Sequence, residues 1–390
     1  MKSAIAAVDE QGLIALTQEL MRMRTPNPPA DYSVIAPRMR ELMTELGLEI
    51  AVMQGQEGKP NVVGLWRGSG GGPTLLIDAH MDVVDAGSGW EHDPWAAEIV
   101  DGVIWGRGAA DMKAALSILI HVTKALKASG FKPKGNLIIT ATNDDETAGK
   151  MGLKYVVEQG LKKAGWPMPD FHLLLEASSW TVNLAYKGRV WIRVAIEGKT
   201  AHGGKPENGV NAIMKCVDLI GGVLAIPRKS HPLIGADSIN VGTINGGEKT
   251  NIVPGACKVT FDYRFVPGTN SDEAVARVKA VADGLARKDP DFKVVGFEVF
   301  EKRDPFEVPE SLKEIALLKQ CIADERGKPA QVGGTLSAGN AYWSLSNGIN
   351  ATMTGPGLAD VIHTSKEHMS VKDLTEGARI VTDFAVRYIG

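Results

Sequence analysis

Thr74-Leu75-Leu76-Ile77-Asp78-Ala79-His80 is a short, nearly continuous apolar run that ends on an imidazole. A strand with one face in water alternates apolar and polar residues, whereas an unbroken apolar run marks a strand buried on both faces, as in the centre of an α/β sheet. Two further runs read the same way: Gly135-Asn136-Leu137-Ile138-Ile139-Thr140-Ala141-Thr142 and Phe171-His172-Leu173-Leu174-Leu175-Glu176. Each is bounded by turn residues, and each stops at or just before a side chain that can bind a metal. Ligands of open α/β sheets bind beyond the carboxyl ends of the strands, so residues distant in sequence can meet in one crevice there. Five potential ligands fall in the order His80, Asp111, Glu146, Glu176, His363. That set fits two divalent metals sharing one bridging carboxylate, which is a hydrolytic centre.

Working outward, helical and strand patterns alternate to about residue 185, the mark of an α/β layer sandwich. Leu13, Leu16, Leu20 and Met23 space a first helix that stops before Pro26, and a second runs from Asp111 through Leu116, Leu119 and Leu126 until Gly130 and Pro133 end it. From Gly188 the texture changes. Val190-Trp191-Ile192-Arg193-Val194-Ala195-Ile196 alternates, a helix follows Gly209, strands follow around 238–245 and 256–265, and a helix and a strand reach about residue 300. This βαββαβ unit is the size of an inserted domain. Because His363 must rejoin the early ligands, residues 187–301 read as an insertion, leaving 1–186 and 302–390 as one discontinuous metal-binding catalytic domain.

At 390 residues the chain exceeds what one core usually supports, and a net charge of -3 gives no reason to expect a nucleic-acid partner. No run approaches the roughly 18 apolar residues of a membrane span. Cys216, Cys257 and Cys321 have no paired spacing, so neither a disulfide framework nor a thiolate metal site is suggested, and a cytoplasmic home is expected.

Each candidate has an ordinary reading beside its chemical one. His80-Met81-Asp82 sets a carboxylate two residues from an imidazole, where Asp82 can fix the tautomer. Asp111 is either a ligand or a helix cap. Asn143-Asp144-Asp145-Glu146 is ordinarily a solvated acidic turn, but one acid can ligate while its neighbour serves as general base. Glu176 ends a buried run with no basic neighbour, a costly place for a carboxylate unless something positive lies nearby. His363 alone reads as a core or surface histidine. The joint pattern is far more specific than any member.

Asp78-Ala79-His80-Met81-Asp82-Val83-Val84, Trp90-Glu91-His92-Asp93-Pro94, Gly106-Arg107-Gly108-Ala109-Ala110-Asp111-Met112-Lys113, the acidic triplet, Gly355-Pro356-Gly357 and His363 closely resemble the acetylornithine deacetylase, succinyl-diaminopimelate desuccinylase, aminoacylase and glutamate carboxypeptidase family of dinuclear metallohydrolases. The resemblance implies a mixed-sheet α/β/α catalytic domain with an inserted α+β lid and dimerisation domain, and a homodimer formed through that insertion. It implies two metals, zinc by default with cobalt or manganese fitting the same ligands. His80 and Glu176 would hold one and Glu146 and His363 the other, with Asp111 bridging and Asp82 orienting His80. Two dications against three carboxylates and a bridging hydroxide sum to zero charge. In the insertion, His202 matches a histidine that reaches the oxyanion, while Arg264, Asn251, Gly334 and Thr335 match substrate-binding positions. Arginine suits a substrate carboxylate because its fork donates two parallel hydrogen bonds.

Two positions depart from the family pattern. Asp145 stands where a glutamate is usual, so the general base is shorter by about 1.5 Å, and Gly333-Gly334-Thr335-Leu336-Ser337-Ala338-Gly339-Asn340 lacks the aspartate that many relatives place soon after the threonine. The leading expectation is a metal-dependent amidohydrolase cleaving the C–N bond of a small N-acyl amino acid or related substrate with a free carboxylate. A bridging hydroxide would attack, Asp145 would relay its proton to the leaving nitrogen, and His202 would help to hold the oxyanion. A dipeptidase or carboxypeptidase, a hydrolase of a less usual C–N bond, and a non-catalytic metal-binding scaffold are the alternatives.

Overall fold

The computed structural model describes residues 2–147, 149–336 and 339–390; Ser337 and Ala338 of the departing stretch lie outside the described residues. The chain divides into two compact units. One takes the residues up to Leu184, returns over Val308–Gly333 and closes from Gly339 to Gly390, and the other spans Ala185–Glu307 with a short segment beginning at Gly334.

The first unit is built on a mixed sheet in the order Glu49–Gln54, Pro60–Trp66, Asn136–Thr142, Thr74–His80, Phe171–Leu174, Asn350–Met353 and Val182–Tyr186. Thr74–His80 runs parallel to both neighbours, with His80 opposite Thr142 and Asp78 opposite Leu174. All seven of its residues are buried, as are all four of Phe171–Leu174, which is why both read as unbroken apolar runs. On one face the helices Glu10–Arg22, Lys113–Ala128 and Val371–Ile389 pack together, and Phe384 lies 5.9 Å from Phe171. On the other, Val156, Val157, Leu161 and Trp343 cover Leu76 and Ile138. Lys113–Ala128 is buried almost throughout, as a helix wedged between sheet and helices must be. The three parallel strands end within two residues of one another, so the loops after His80, Thr142 and Leu174 share one crevice.

The second unit is an antiparallel sheet ordered Ser238–Gly246, Ala256–Phe265, Gly188–Glu197, Lys293–Arg303. Its chain order is strand, helix, strand, strand, helix, strand, with a two-residue hairpin between the first helix and the second strand. Val190, Ile192, Val194 and Ile196 point into a core with residues of the helices Ala212–Leu224 and Ser271–Lys288, the period of two that the sequence displays. Asn211 and Asn270 start these helices by accepting the first free backbone N–H groups. Among the described residues no helix is long and apolar enough to cross a membrane.

Candidate metal centre

His80 is the last residue of its strand, and its imidazole is buried. Nδ1 lies 2.8 Å from the Asp82 carbonyl oxygen and donates to it, which leaves Nε2 facing the crevice. That Nε2 is 3.0 Å from Asp111 Oδ1, 3.5 Å from Glu176 Oε1 and 4.0 Å from Asp145 Oδ2. The Asp82 carboxylate stands 3.6 Å from Nδ1. It accepts from the Asn27 side chain at 2.7 Å, the Glu146 N–H at 3.2 Å and the Asp145 N–H at 3.4 Å, so it anchors the acidic loop from beneath.

Asp111 does not cap the helix that follows it; the N-cap position falls on Met112, without a side-chain cap. Its two oxygens serve both sides of the crevice, since Oδ2 is 3.0 Å from His363 Nε2 while Oδ1 faces His80. His363 Nε2 is also 3.2 Å from Glu146 Oε2, and Glu146 Oε1 accepts from the Val84 N–H at 3.1 Å. The acidic triplet divides its labour. Asp144 turns away, taking Thr147 Oγ1 and the Met151 N–H, while Asp145 faces His80 and Glu146 faces His363. Glu176 lies two residues beyond the end of its strand, where the chain is free to turn inward.

The backbone is bent to achieve this. Asp144 at φ 63° and His363 at φ 61° both adopt the left-handed conformation, which costs non-glycine residues on the order of 1–3 kcal/mol and is characteristic of functional loops. In the loop before Asp111, Gly106 has φ 140°, and a Cβ there would sit 2.7 Å from the Pro94 carbonyl oxygen.

Four largely buried carboxylates and the buried His80 thus meet the half-exposed imidazole of His363 in one crevice. Burial, then the neighbouring Asp111 charge, raises the Glu176 carboxyl to about 7. Burial also raises Glu146 and lifts Asp145 well above the usual carboxylate range. Hydrogen bonds to Asp111 and then Glu146 raise His363 to about 10. His80 is also raised: burial opposes its charge, but contacts with Asp111 and Glu176 outweigh that cost. Burial works against ionisation of Asp111 too, yet its bonds to the two imidazoles hold it below the usual range. The cluster gathers protons because it lacks positive charge, and divalent cations supply charge at the same lone pairs. The donors converge in two triads, His80 with Asp145 and Glu176, and His80 with Asp111 and Glu146, each with ligand atoms within 4.8 Å of one another. Nitrogen and carboxylate oxygen in this ratio fit zinc, cobalt or manganese.

The other expected residues lie in the second unit. His202 is exposed, with Nδ1 accepting from the Gly204 N–H at 3.0 Å, and its segment pairs with Asn251-Ile252-Val253 through Gly203 N–H to Asn251 O and Val253 N–H to Ala201 O. Arg264 is already engaged: Nε and Nη2 each lie 3.1 Å from Asp262 Oδ2, and Nη1 donates to the Leu336 carbonyl at 3.2 Å. Gly334 packs so that a Cβ would meet the Ala185 carbonyl oxygen at 2.5 Å, and the Thr335 carbonyl accepts from the Lys187 N–H at 3.3 Å.

Several residues at the centre escaped the sequence reading. Asn27, in Thr25-Pro26-Asn27-Pro28-Pro29, holds Asp82, and Tyr32 accepts the Asp144 N–H at 3.1 Å. Arg107 and Glu367 form a buried ion pair behind Asp111. Arg107 stood in the Gly106–Lys113 stretch without a role, and the proline-rich setting of Asn27 is the sign of a fixed turn.

Residues 76–387 match the family model described as peptidase family M20/M25/M40. The N-formyl-4-amino-5-aminomethyl-2-methylpyrimidine deformylase of Halalkalibacterium halodurans is 26% identical, covering 98% of this chain and 96% of its own. The succinyl-diaminopimelate desuccinylase of Alkalilimnicola ehrlichii is 27% identical over 84% of this chain and 87% of its own. Among solved structures, aminopeptidase PepT of Bacillus cereus superposes with a TM-score of 0.81 at 21% identity, covering 98% of this chain and all of that one, a likeness of fold.

Proposed function

The chain belongs to the M20/M25/M40 peptidase family, metallohydrolases that act on amide C–N bonds, and we propose that its own substrate is a small N-acyl amino acid or related amide with a free carboxylate. The observation that carries this reading is the double engagement of Asp111, whose two oxygens each lie 3.0 Å from the Nε2 of a different histidine. In this proposal His80 and Glu176 would hold one cation and Glu146 and His363 the other, with Asp111 shared between them. Two divalent ions held there, zinc by default, would supply Lewis acidity toward a water and the scissile carbonyl.

Asp145 takes the proton of the attacking water and delivers it to the leaving nitrogen. Its position supports that task, for its Oδ2 lies 4.0 Å from His80 Nε2 at the crevice that the ligands line, where a carboxylate can serve as general base. Its single methylene shortens its reach, and its backbone N–H on Asp82 supplies a fixed base for the side chain. Asp82 positions both His80, through its carbonyl, and the acidic loop, through its carboxylate. His202 is assigned to the developing oxyanion, and Arg264 with Asn251, Gly334 and Thr335 to the substrate's carboxylate end; that carboxylate would compete with Asp262 for the Arg264 fork.

A homodimer through the second unit is part of the proposal. Met214, Val217 and Leu224 on one helix and Ile244 on an edge strand are exposed, an apolar surface that a second copy would cover. Three buried free cysteines fit a reducing cytoplasm.

The test is a panel of N-formyl, N-acetyl and N-succinyl amino acids and dipeptides, assayed with metal content measured and with a chelated control. The formyl amides belong there because a deformylase is the relative covering 98% of the chain. Turnover of acylated amino acids that vanishes on chelation and returns with zinc, cobalt or manganese supports the reading. Turnover confined to dipeptides would replace it with a dipeptidase.

A further inference from the structure

We propose that Glu367 is a positioning residue that fixes Asp111 between the two histidines. This rests on the dinuclear reading above, because what Glu367 would position is the carboxylate that serves both cations.

Glu367 is wholly buried and stands four residues after His363. Its Oε1 accepts three backbone N–H groups, from Gly108 at 2.9 Å, Ala110 at 3.1 Å and Asp111 itself at 3.0 Å. Its main-chain oxygen accepts a fourth, from Gly106 at 3.1 Å. N–H groups of one loop converging on one oxygen form a nest for an anion, and here the anion is a side chain of the protein, with Gly108 at φ 85° bending the loop around it. Oε2 takes Arg107 Nη1. Arg107, also buried, donates Nη2 to the Asp85 carbonyl at 3.2 Å, and its guanidinium lies 5.2 Å from the centre of the Trp90 ring. One carboxylate therefore ties together the segment after His80 and Asp82, the loop of Asp111 and the strand after His363.

A buried ion pair kept for stability alone would need only its partner and a donor or two. Glu367 instead binds the N–H of the bridging residue, which fixes the direction in which the Asp111 side chain leaves the backbone. Both Asp111 contacts depend on that direction, and a displacement of about 1 Å is enough to cost roughly 100-fold in rate.

The experiment titrates zinc alone into the metal-stripped full chain by calorimetry, with bound metal counted after dialysis and melting temperature followed in parallel. Wild type is expected to hold two zinc ions. Glu367→Gln is expected to fold but to bind one of them at least 10-fold more weakly, with kcat reduced about 10- to 100-fold and KM little changed, the range typical of residues that orient metal ligands. Arg107→Lys leaves the three N–H contacts and a buried cation in place and is expected to melt lower yet keep both ions. Should Glu367→Gln not fold, Glu367→Asp, which keeps the charge but retracts from the nest, is expected to show the same loss of one ion. Two ions bound with wild-type affinity in the Glu367 variants would overturn the positioning role, as would an equal loss in Arg107→Lys. Fewer than two ions in wild type would overturn the dinuclear reading and this inference with it.

Discussion

Around Asp111, side chains are held at more than one point: His80 by a carbonyl on one nitrogen and a carboxylate facing the other, Asp82 by three donors, Glu146 by a backbone N–H and an imidazole. In the second unit, His202 is exposed with one local hydrogen bond, and Arg264 is occupied by its own strand neighbour Asp262. The first group is organised in advance and short of positive charge. The second carries its polar groups exposed or on a single neighbouring side chain. The proposed metal ligands and base are set before substrate arrives, whereas the groups proposed to touch the substrate, His202 and Arg264, are exposed or keep a partner that a ligand can displace.

The largest effect that would test this contrast comes from Asp111→Ala. It is expected to abolish turnover and to lower bound metal, read by hydrolysis and by metal analysis on the same sample; retention of two metals would place the bridge elsewhere. Next is Asp145→Ala, expected to lower kcat by about 100- to 10,000-fold with both metals kept. Because Asp145 also converges with His80 and Glu176, loss of a metal in that variant would make it a ligand, and the preorganised group would then lack a base.

The second group is expected to respond less. His202→Ala should lower kcat about 100- to 1,000-fold without altering metal content, the range for removal of an oxyanion donor. Arg264→Met should act mainly on KM, raising it about 10- to 100-fold for substrates with a free carboxylate and little for their amides. An equal effect on both substrate types would leave Arg264 as no more than the partner of Asp262.

The smallest effect on catalysis comes from His172, fully buried on the strand Phe171–Leu174 with neither ring nitrogen bonded. Burial alone lowers its pKa to about 3. The unfolded chain therefore binds the proton between roughly pH 6.5 and 3 while the folded one does not, and stability is lost as pH falls through that window, on the order of 5 kcal/mol across the whole of it. His172→Leu should flatten this limb of the melting-temperature profile while leaving activity at neutral pH nearly unchanged. A profile equally steep in the variant would trace acid lability to the carboxylates of the centre instead.

Much of this was legible because two-sided burial leaves a plain mark. Thr74–His80 reads as a strand to the residue, and the ligands follow the strand ends as the geometry of parallel sheets requires. The division of labour within Asp144, Asp145 and Glu146 was open, since it depends on the left-handed turn at Asp144 and on its hydrogen bonds with Tyr32, Thr147 and Met151, residues close and distant with no shared period. That the Asp82 carbonyl, at 2.8 Å, is nearer to His80 than its carboxylate was invisible, because side-chain identity says nothing about which main-chain atom faces a ring. Glu367 was hidden by distance, lying 256 residues from the Asp111 N–H it accepts. An ion pair on the strand surface is the ordinary reading of Arg264, and Asp262 supplies it, for residues two apart on a strand share a face.

The most direct test is a crystal structure of the manganese- or zinc-loaded protein with anomalous scattering recorded at the metal edge. The account expects two peaks flanking the Asp111 carboxylate, one beside His80 and Glu176 and the other beside Glu146 and His363. A single peak, or two peaks of which only one contacts Asp111, would contradict it.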